Sequence, residues 1–332
     1  MIGQGLVDTF HRKINYLRIS ITDRCNLRCL YCMPEEGVPL LGHESILSFE
    51  EILRVARVAI AMGITKVRIT GGEPLVRKGL TSLIEELAAL EGLRDISLTT
   101  NGVLLEKMAE ELKRAGLKRL NISLDTLKAD VYQRITRCGD IKRVLAGIEK
   151  ARDVGFSPLK VNMVPMKGVN DGEILDFVAF AQDKDVEVRF IEFMPSREDE
   201  WRREAIIDSV DIIKTISSAY ELTPLAAGED AGPCKLFEIK GGGRCGVISP
   251  MSEHFCDTCN RLRLTADGKL RGCLFSEKER DLRSILRDEK CTDEAIAEVL
   301  RGAVHAKPEG HKYDESEDSS KNGGFKMSRV GG

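Results

Sequence analysis

Residues 48–74 read SFEEILRVARVAIAMGITKVRITGGEP, and this stretch decides the fold class. Ser48 and Glu51 have capping-box spacing, in which each side chain satisfies the other residue's backbone N–H. Ile52, Val55, Ala56, Ala59 and Ile60 then repeat at helical spacing, and Gly63 is placed to end the helix. Lys66–Thr70 is short and alternates polar with β-branched residues, as a strand does, and Gly71-Gly72-Glu73-Pro74 follows at once. The same alternation continues outward on both sides. Strands are expected at 16–22, 95–99, 118–124, 159–164 and 186–191, with helices at 80–90, 104–115, 141–154 and 173–183. Repeated βα units predict an α/β fold with a parallel sheet.

Polar residues gather at the C-terminal ends of these strands, where barrel enzymes place their chemistry. Cys25, Cys29 and Cys32 follow the first strand, Gly71–Pro74 the second, Thr99–Gly102 the third, Ser123 and Asp125 the fourth, and Met194 the sixth. This favours one large mouth over an open doubly wound sheet. From about residue 206 the pattern changes to an amphipathic helix, strands at 235–239 and 245–248, and a hairpin over 261–273 turning at Asp267-Gly268. That reads as a smaller second unit. Residues 305–324 are rich in Gly, Ser and charge and are expected to be mobile.

The chain has 332 residues, 42% hydrophobic and 31% charged, enough for a sizeable core. A net charge of -3 gives no global basic field, so an anionic ligand would need a local Arg and Lys cluster. No apolar run approaches a membrane span, and MIGQGLVDTFHRK lacks the apolar core of a signal peptide, so a cytoplasmic protein is expected. Ten cysteines in such a chain point to metal ligation or catalysis before disulfides.

Cys25, Cys29 and Cys32 form CxxxCxxC directly after a strand. Three thiolates bind three irons of a [4Fe-4S] cube and leave the fourth iron open to a ligand. With Tyr31 before the third cysteine and Gly71–Pro74 after the next strand, this segment resembles the radical S-adenosylmethionine superfamily. The resemblance implies that the open iron chelates the methionine moiety and that one-electron reduction releases a 5′-deoxyadenosyl radical. It also places the cofactor's amino group at the GGEP segment, with Glu73 as its acceptor.

Cys256 and Cys259 form CxxC, and Cys273 returns after thirteen residues. Zinc, with His254 as fourth ligand, and a second iron-sulfur cluster are both open on this spacing. Arg261 and Arg263 occupy one face of the intervening strand, and two guanidiniums beside a three-cysteine site point to an anion such as phosphate.

Together these motifs are similar to the GTP 3′,8-cyclase family of molybdopterin biosynthesis over essentially the whole chain, to the terminal Gly331-Gly332. That resemblance implies an incomplete six-unit (β/α) TIM-like barrel over residues 1–205 and a C-terminal α+β extension over 206–304 that closes it. A flexible tail, 305–332, would place Gly331 and Gly332 in the active site beside the catalytic Arg261 and Arg263. Two [4Fe-4S] clusters are implied, on Cys25, Cys29 and Cys32 and on Cys256, Cys259 and Cys273. S-adenosylmethionine contacts fall on Tyr31, Gly72, Glu73, Ser123 and Met194, and GTP contacts on Arg18, Arg68, Thr99, Lys160, Arg261, Leu262 and Arg263. The radical would remove hydrogen from ribose C3′, and the carbon radical would attack C8 of guanine to give (8S)-3′,8-cyclo-7,8-dihydroguanosine 5′-triphosphate.

The implied partners are a one-electron reductant and a downstream molybdopterin-precursor synthase, with room for a homodimer and no nucleic acid or membrane. Cys138, Cys234, Cys245 and Cys291 have no place in the motifs. Two other readings stand beside this one: a radical enzyme acting on a peptide, and a zinc protein binding nucleic acid. The paired arginines weigh against the first; the net charge and the scarcity of aromatics weigh against the second.

Overall fold

The computed structural model describes residues 5–195, 203–228, 232–276 and 278–311. The capping box forms: Glu51 N donates to Ser48 Oγ at 3.2 Å and Ser48 N to the Glu51 carboxylate at 2.7 Å. It starts α1 (Phe49–Ala61), which buries Ile52, Leu53, Val55, Ala56, Val58 and Ala59. The repeat runs through β1 (Tyr16–Ser20), β2 (Lys66–Thr70), α2 (Leu80–Ala88), β3 (Asp95–Thr100), α3 (Leu105–Arg114), β4 (Arg119–Ser123), α4 (Ala129–Thr136), α5 (Ile141–Asp153), β5 (Lys160–Met163), α6 (Ile174–Lys184) and β6 (Glu187–Ile191). Helix α4 was not legible, because two turns are too few to display helical periodicity.

Strand parity sorts the sheet faces. Leu17, Ile19, Val67, Ile69, Ile96, Leu98, Leu120, Ile122, Val161, Met163, Val188 and Phe190 alternate along β1 to β6 and are all core residues. Their neighbours in sequence, among them Arg18, Arg68, Asn162 and Arg189, face a cavity instead. Period-two alternation therefore separates core from site on every central strand.

After α7 (Ser209–Ser217) come β7 (Leu222–Pro224), β8 (Lys235–Ile239), β9 (Arg244–Ile248), β10 (Arg261–Leu264), β11 (Lys269–Arg271), β12 (Glu279–Asp281), α8 (Arg283–Leu286) and α9 (Asp293–His305). These strands form no sheet of their own. They extend the first at both edges, giving one twelve-stranded order β12-β11-β10-β1-β2-β3-β4-β5-β6-β9-β8-β7. β10 pairs parallel with β1 and β9 parallel with β6, so the two backbone edges that six parallel strands leave open are covered by the chain's own C-terminal part.

The hairpin differs by one residue from the expected two-residue turn. Lys269 N donates to Thr265 Oγ1 at 2.9 Å, Thr265 N donates to Lys269 O at 2.9 Å, and Gly268 is left-handed at φ 78°. A three-residue loop results, and the register is Arg263 to Arg271 and Leu264 to Leu270. Continued outward, it brings Cys273 opposite Arg261, whereas a two-residue turn at Asp267-Gly268 would set it opposite Leu262. One residue of slip changes the face, and here it moves Cys273 from the core side to the cavity side.

Of the segment 305–324 expected to be mobile, the described residues 305–311 are held in place, and the rest lies outside the described residues. Lys307 is buried, and Arg12 donates to the carbonyls of Pro308 and Glu309. Gly331 and Gly332 lie outside the described residues. Among the described residues no helix is long and apolar enough to cross a membrane.

Candidate active site

A cavity of about 320 Å³ is lined by residues of both cysteine triads and by arginines of the central strands. That volume suits a small-molecule ligand. The first triad sits on the loop after β1. Cys32 N donates to Cys29 O at 2.9 Å, and Arg28 N and Leu30 N donate to Thr136 O and Ile135 O at the C-terminal end of α4. Helix α4 thus supplies the carbonyls that shape the cysteine loop. Burial raises the Cys25 thiol to about 11 and pushes Cys29 well above its usual range. Cation binding lowers a coordinating thiol's pKa sharply and takes its proton.

The second triad spans the loop before β10 and the end of its hairpin. Burial alone would raise Cys259, but Arg261 and Lys307 outweigh it and bring the thiol down to about 6. Among the described residues, no three His, Cys, Asp or Glu side chains converge on one point as a single ion requires. Three thiolates are the donor set a [4Fe-4S] cube takes, and the three cysteines of each triad line the cavity. His254 is turned to Pro250 O at 2.9 Å and packs edge-on against His311.

Between the triads the parallel register lines up charge. Arg263 pairs with Arg18, Arg18 with Arg68, and Arg68 with Ser97, so three guanidiniums stand abreast on β10, β1 and β2. The row below is Arg261, Tyr16 and Lys66. Burial disfavours these charges, and like charges on adjacent strands add to it: Arg68 is pushed down to about 9, with Arg18 opposing its charge, and Arg263 falls well below its usual value. A guanidinium keeps its proton at neutral pH, so the row calls for an anion. Arg18 Nε, Tyr16 Oη, Thr99 Oγ1 and Asn162 Oδ1 are buried without a hydrogen-bond partner and belong to lining residues.

Residues 19–181 match the Radical SAM superfamily model and residues 186–313 the Molybdenum Cofactor Synthesis C model. A GTP 3′,8-cyclase of Geobacter sulfurreducens is 50% identical over 98% of this chain and 99% of its own length. That of Moorella thermoacetica is 50% identical over 98% and 99%. The chain belongs to the GTP 3′,8-cyclase family. Membership sets aside the zinc-protein and peptide-modifying readings. Crystal structures of Streptococcus suis SuiB share the fold at 14–16% identity: one bound to S-adenosylmethionine aligns over 85% of this chain and 68% of that one with a TM-score of 0.57.

The cyclase-family positions expected from sequence divide into three groups. Tyr31, Gly72, Glu73, Ser123, Met194, Arg18, Arg68, Thr99, Arg261, Arg263 and all six cysteines expected as cluster ligands line the cavity. Leu262 does not: its side chain lies in the core, as strand alternation requires for a residue between two cavity arginines. Lys160 is buried at the start of β5, where its Nζ is 3.6 Å from Glu187, and it is not among the lining residues.

Glu73, expected as the ammonium acceptor, also has structural partners of its own. Its carboxylate accepts from Thr100 Oγ1 at 2.7 Å, Asn101 N at 2.6 Å and Leu75 N at 3.0 Å. Burial raises it to about 7 against those hydrogen bonds. It braces the loop after β2 against the loop after β3, and Asn101 in turn reaches Cys25 Sγ at 3.9 Å.

Tyr16, Asn162 and Arg189 were missed in the sequence. Strand parity would have found them, since each lies two residues from another cavity-lining position: Arg18, Val164 and Ile191 respectively. Asp125, which accepts from Tyr31 Oη at 2.6 Å and from Val164 N at 2.9 Å, fixes the tyrosine beside Cys32.

Proposed function

We propose that the protein converts GTP to (8S)-3′,8-cyclo-7,8-dihydroguanosine 5′-triphosphate, the first step of molybdenum cofactor biosynthesis. The observation that carries this is the in-register row Arg263, Arg18 and Arg68, set between two cysteine triads in one cavity. Cys25, Cys29 and Cys32 hold the cluster that binds S-adenosylmethionine; Cys256, Cys259 and Cys273 hold the second. When bound, the first cluster and its cofactor supply the radical that removes hydrogen from ribose C3′.

The chain's own residues do the rest by placement. Tyr31, Gly72, Ser123 and Met194 seat the cofactor against the first triad. Arg18, Arg68, Arg261 and Arg263 take the triphosphate, and Lys160, held near Glu187 at the start of β5, stands behind them. Charge-assisted hydrogen bonds contribute roughly 1.5–3 kcal/mol each, so four of them offset the ordering cost of a flexible triphosphate. Thr99 and Asn162 present buried, unpartnered oxygens to the ligand. The cavity walls exclude water from a reactive carbon radical.

This reading includes several further features. The sheet curls as an incomplete six-unit barrel, 1–205, with the extension 206–304 bounding its side, and an open pairing order suits that shape. The reading also assigns Gly331 and Gly332, which lie outside the described residues, a part in turnover. A cytoplasmic enzyme takes electrons from a one-electron reductant and passes its product to a molybdopterin-precursor synthase; a homodimer is compatible. The test is anaerobic turnover of reconstituted protein with GTP, S-adenosylmethionine and dithionite, followed by mass spectrometry. A 3′,8-cyclised product formed alongside 5′-deoxyadenosine is expected. 5′-Deoxyadenosine without any GTP-derived product would refute the assignment.

A further inference from the structure

Lys307 lies two residues beyond the end of α9, in a polar stretch that gives no sequence signal. It is only 3% exposed. Its Nζ donates to Gly272 O at 2.6 Å, to Arg261 O at 3.1 Å and to Cys259 Sγ at 3.3 Å. An ammonium has three N–H donors and no acceptor, so donors and acceptors match and all three are used inside the protein.

The surroundings hold this geometry. Arg12 Nη1 donates to Cys256 O at 2.7 Å and Glu309 O at 2.8 Å, Nη2 donates to Pro308 O at 2.6 Å, and Nε pairs with Asp8 at 2.6 Å. His311 bonds Pro250 O at 2.9 Å. At Gly272 a Cβ would come within 3.1 Å of Lys307 Cα and Cβ, so the strap 307–311 passes there with no space to spare. One strap, locked from the N-terminal segment by Arg12, thus carries a cation onto a ligand sulfur.

We propose that Lys307 sets the charge environment of the second cluster, stabilising its reduced state and raising its reduction potential. The inference rests on the reading that Cys256, Cys259 and Cys273 hold a [4Fe-4S] cluster. Reduction adds one electron, hence one negative charge, to the cluster and its thiolates. A buried cation hydrogen-bonded to a ligand sulfur favours that state, because hydrogen bonds to the sulfurs and local charge tune such potentials. Arg261 also approaches Cys259 Sγ, at 3.6 Å, but it lines the substrate cavity and shares its charge with the ligand. Lys307 is not among the cavity-lining residues, so its charge is not shared with the ligand.

The test is an EPR-monitored redox titration of the reconstituted full chain with titanium(III) citrate, one electron per cluster, with iron counted in each sample. The first cluster is marked by the change in its signal on adding S-adenosylmethionine. Lys307→Met is expected to keep both clusters and to lower the second cluster's reduction equilibrium at least tenfold, about 59 mV for one electron. The first cluster should not move, and Lys307→Arg, which keeps the charge, should recover most of the shift. A fully loaded Met variant with unchanged midpoints overturns the proposal. Should the Met variant lose the second cluster, an Arg variant retaining it at the wild-type midpoint supports the charge role; loss in both makes Lys307 a packing residue and overturns it. Wild-type protein with iron for only one cluster would instead refute the two-cluster reading, and the inference with it.

Discussion

Gly72 is the position where a single methyl group should be felt most directly. A Cβ there would lie 2.4 Å from Arg24 O, 2.7 Å from Arg24 C and 2.8 Å from Asp23 O. All three are backbone atoms, so no side chain can swing aside. Ordinary contact begins near 3.4 Å, so the two loops must part by about 1 Å. They are tied by Gly72 N to Thr22 O at 2.7 Å and Glu73 N to Arg24 O at 2.8 Å, and parting them stretches both bonds. Overpacking of this kind costs about 1–3 kcal/mol and a weakened hydrogen bond about 1 kcal/mol. Gly72→Ala should therefore lose about 2–4 kcal/mol. At about 2.1 cal/mol/K per residue over 332 residues, this is a fall in Tm of roughly 3–6 °C. Cys25 follows Arg24 directly, so the displacement reaches the first cluster's ligand, and S-adenosylmethionine affinity should fall at least tenfold, about 1.4 kcal/mol. Scanning fluorimetry and anaerobic calorimetry measure the two effects. Gly172→Ala, with no atom within 4 Å of its new Cβ, is the control and should change little. A Gly72→Ala protein with wild-type Tm and affinity would refute the close-approach argument.

Cys29→Ser and Cys259→Ser should each lose about four of about eight irons; the first should abolish cleavage of S-adenosylmethionine, while the second should retain some cleavage and lose cyclisation. Equal loss of cleavage in both would contradict this division of labour. Arg261→Ala or Arg263→Ala should weaken GTP binding about ten- to a hundred-fold, or about 1.5–3 kcal/mol, and leave S-adenosylmethionine binding nearly unchanged; equal loss for both ligands in calorimetry would point to collapse of the hairpin. Glu73 stands at about 7 in the fold against 4.5 ordinarily, so the folded protein holds that proton longer and its contribution to stability is lost as pH rises through that window. Relative to Glu73→Gln, wild-type apoprotein should lose up to about 3 kcal/mol between pH 4.5 and pH 7 in urea unfolding; parallel profiles would exclude the effect. Deleting Gly331 and Gly332 should leave iron content and Tm unchanged and remove most product formation, and wild-type yield would show the tail to be dispensable.

Covalent spacing and local periodicity made much of this protein legible. CxxxCxxC and CxxC are set within a few residues of chain, and the capping box at Ser48 and Glu51 forms from residues three apart, so neither needs a distant partner. Alternation along β1 to β6 fixes which side chains leave the core, because successive Cβ atoms point to opposite faces. By that rule the arginines of β1, β2 and β10 were bound for one side and Leu262 for the other.

Tertiary structure decided what local pattern cannot express. Arg263 and Arg18 are far apart in sequence and stand abreast only because β10 pairs parallel with β1 at that register. The three-residue loop closed by Thr265 and Lys269 set Cys273 on the cavity side, a one-residue choice that the Asp-Gly turn signal does not make. Glu73 was given to Thr100 and Asn101 by the packing of two loops, and Lys307 to Cys259 by a strap that Arg12 locks from the opposite end of the chain. The sequence by itself determined the chemical groups and the face each would occupy. The long-range pairing of the strands decided which of those groups meet, because the entropy of closing such long loops is recovered only when the whole sheet and core form together.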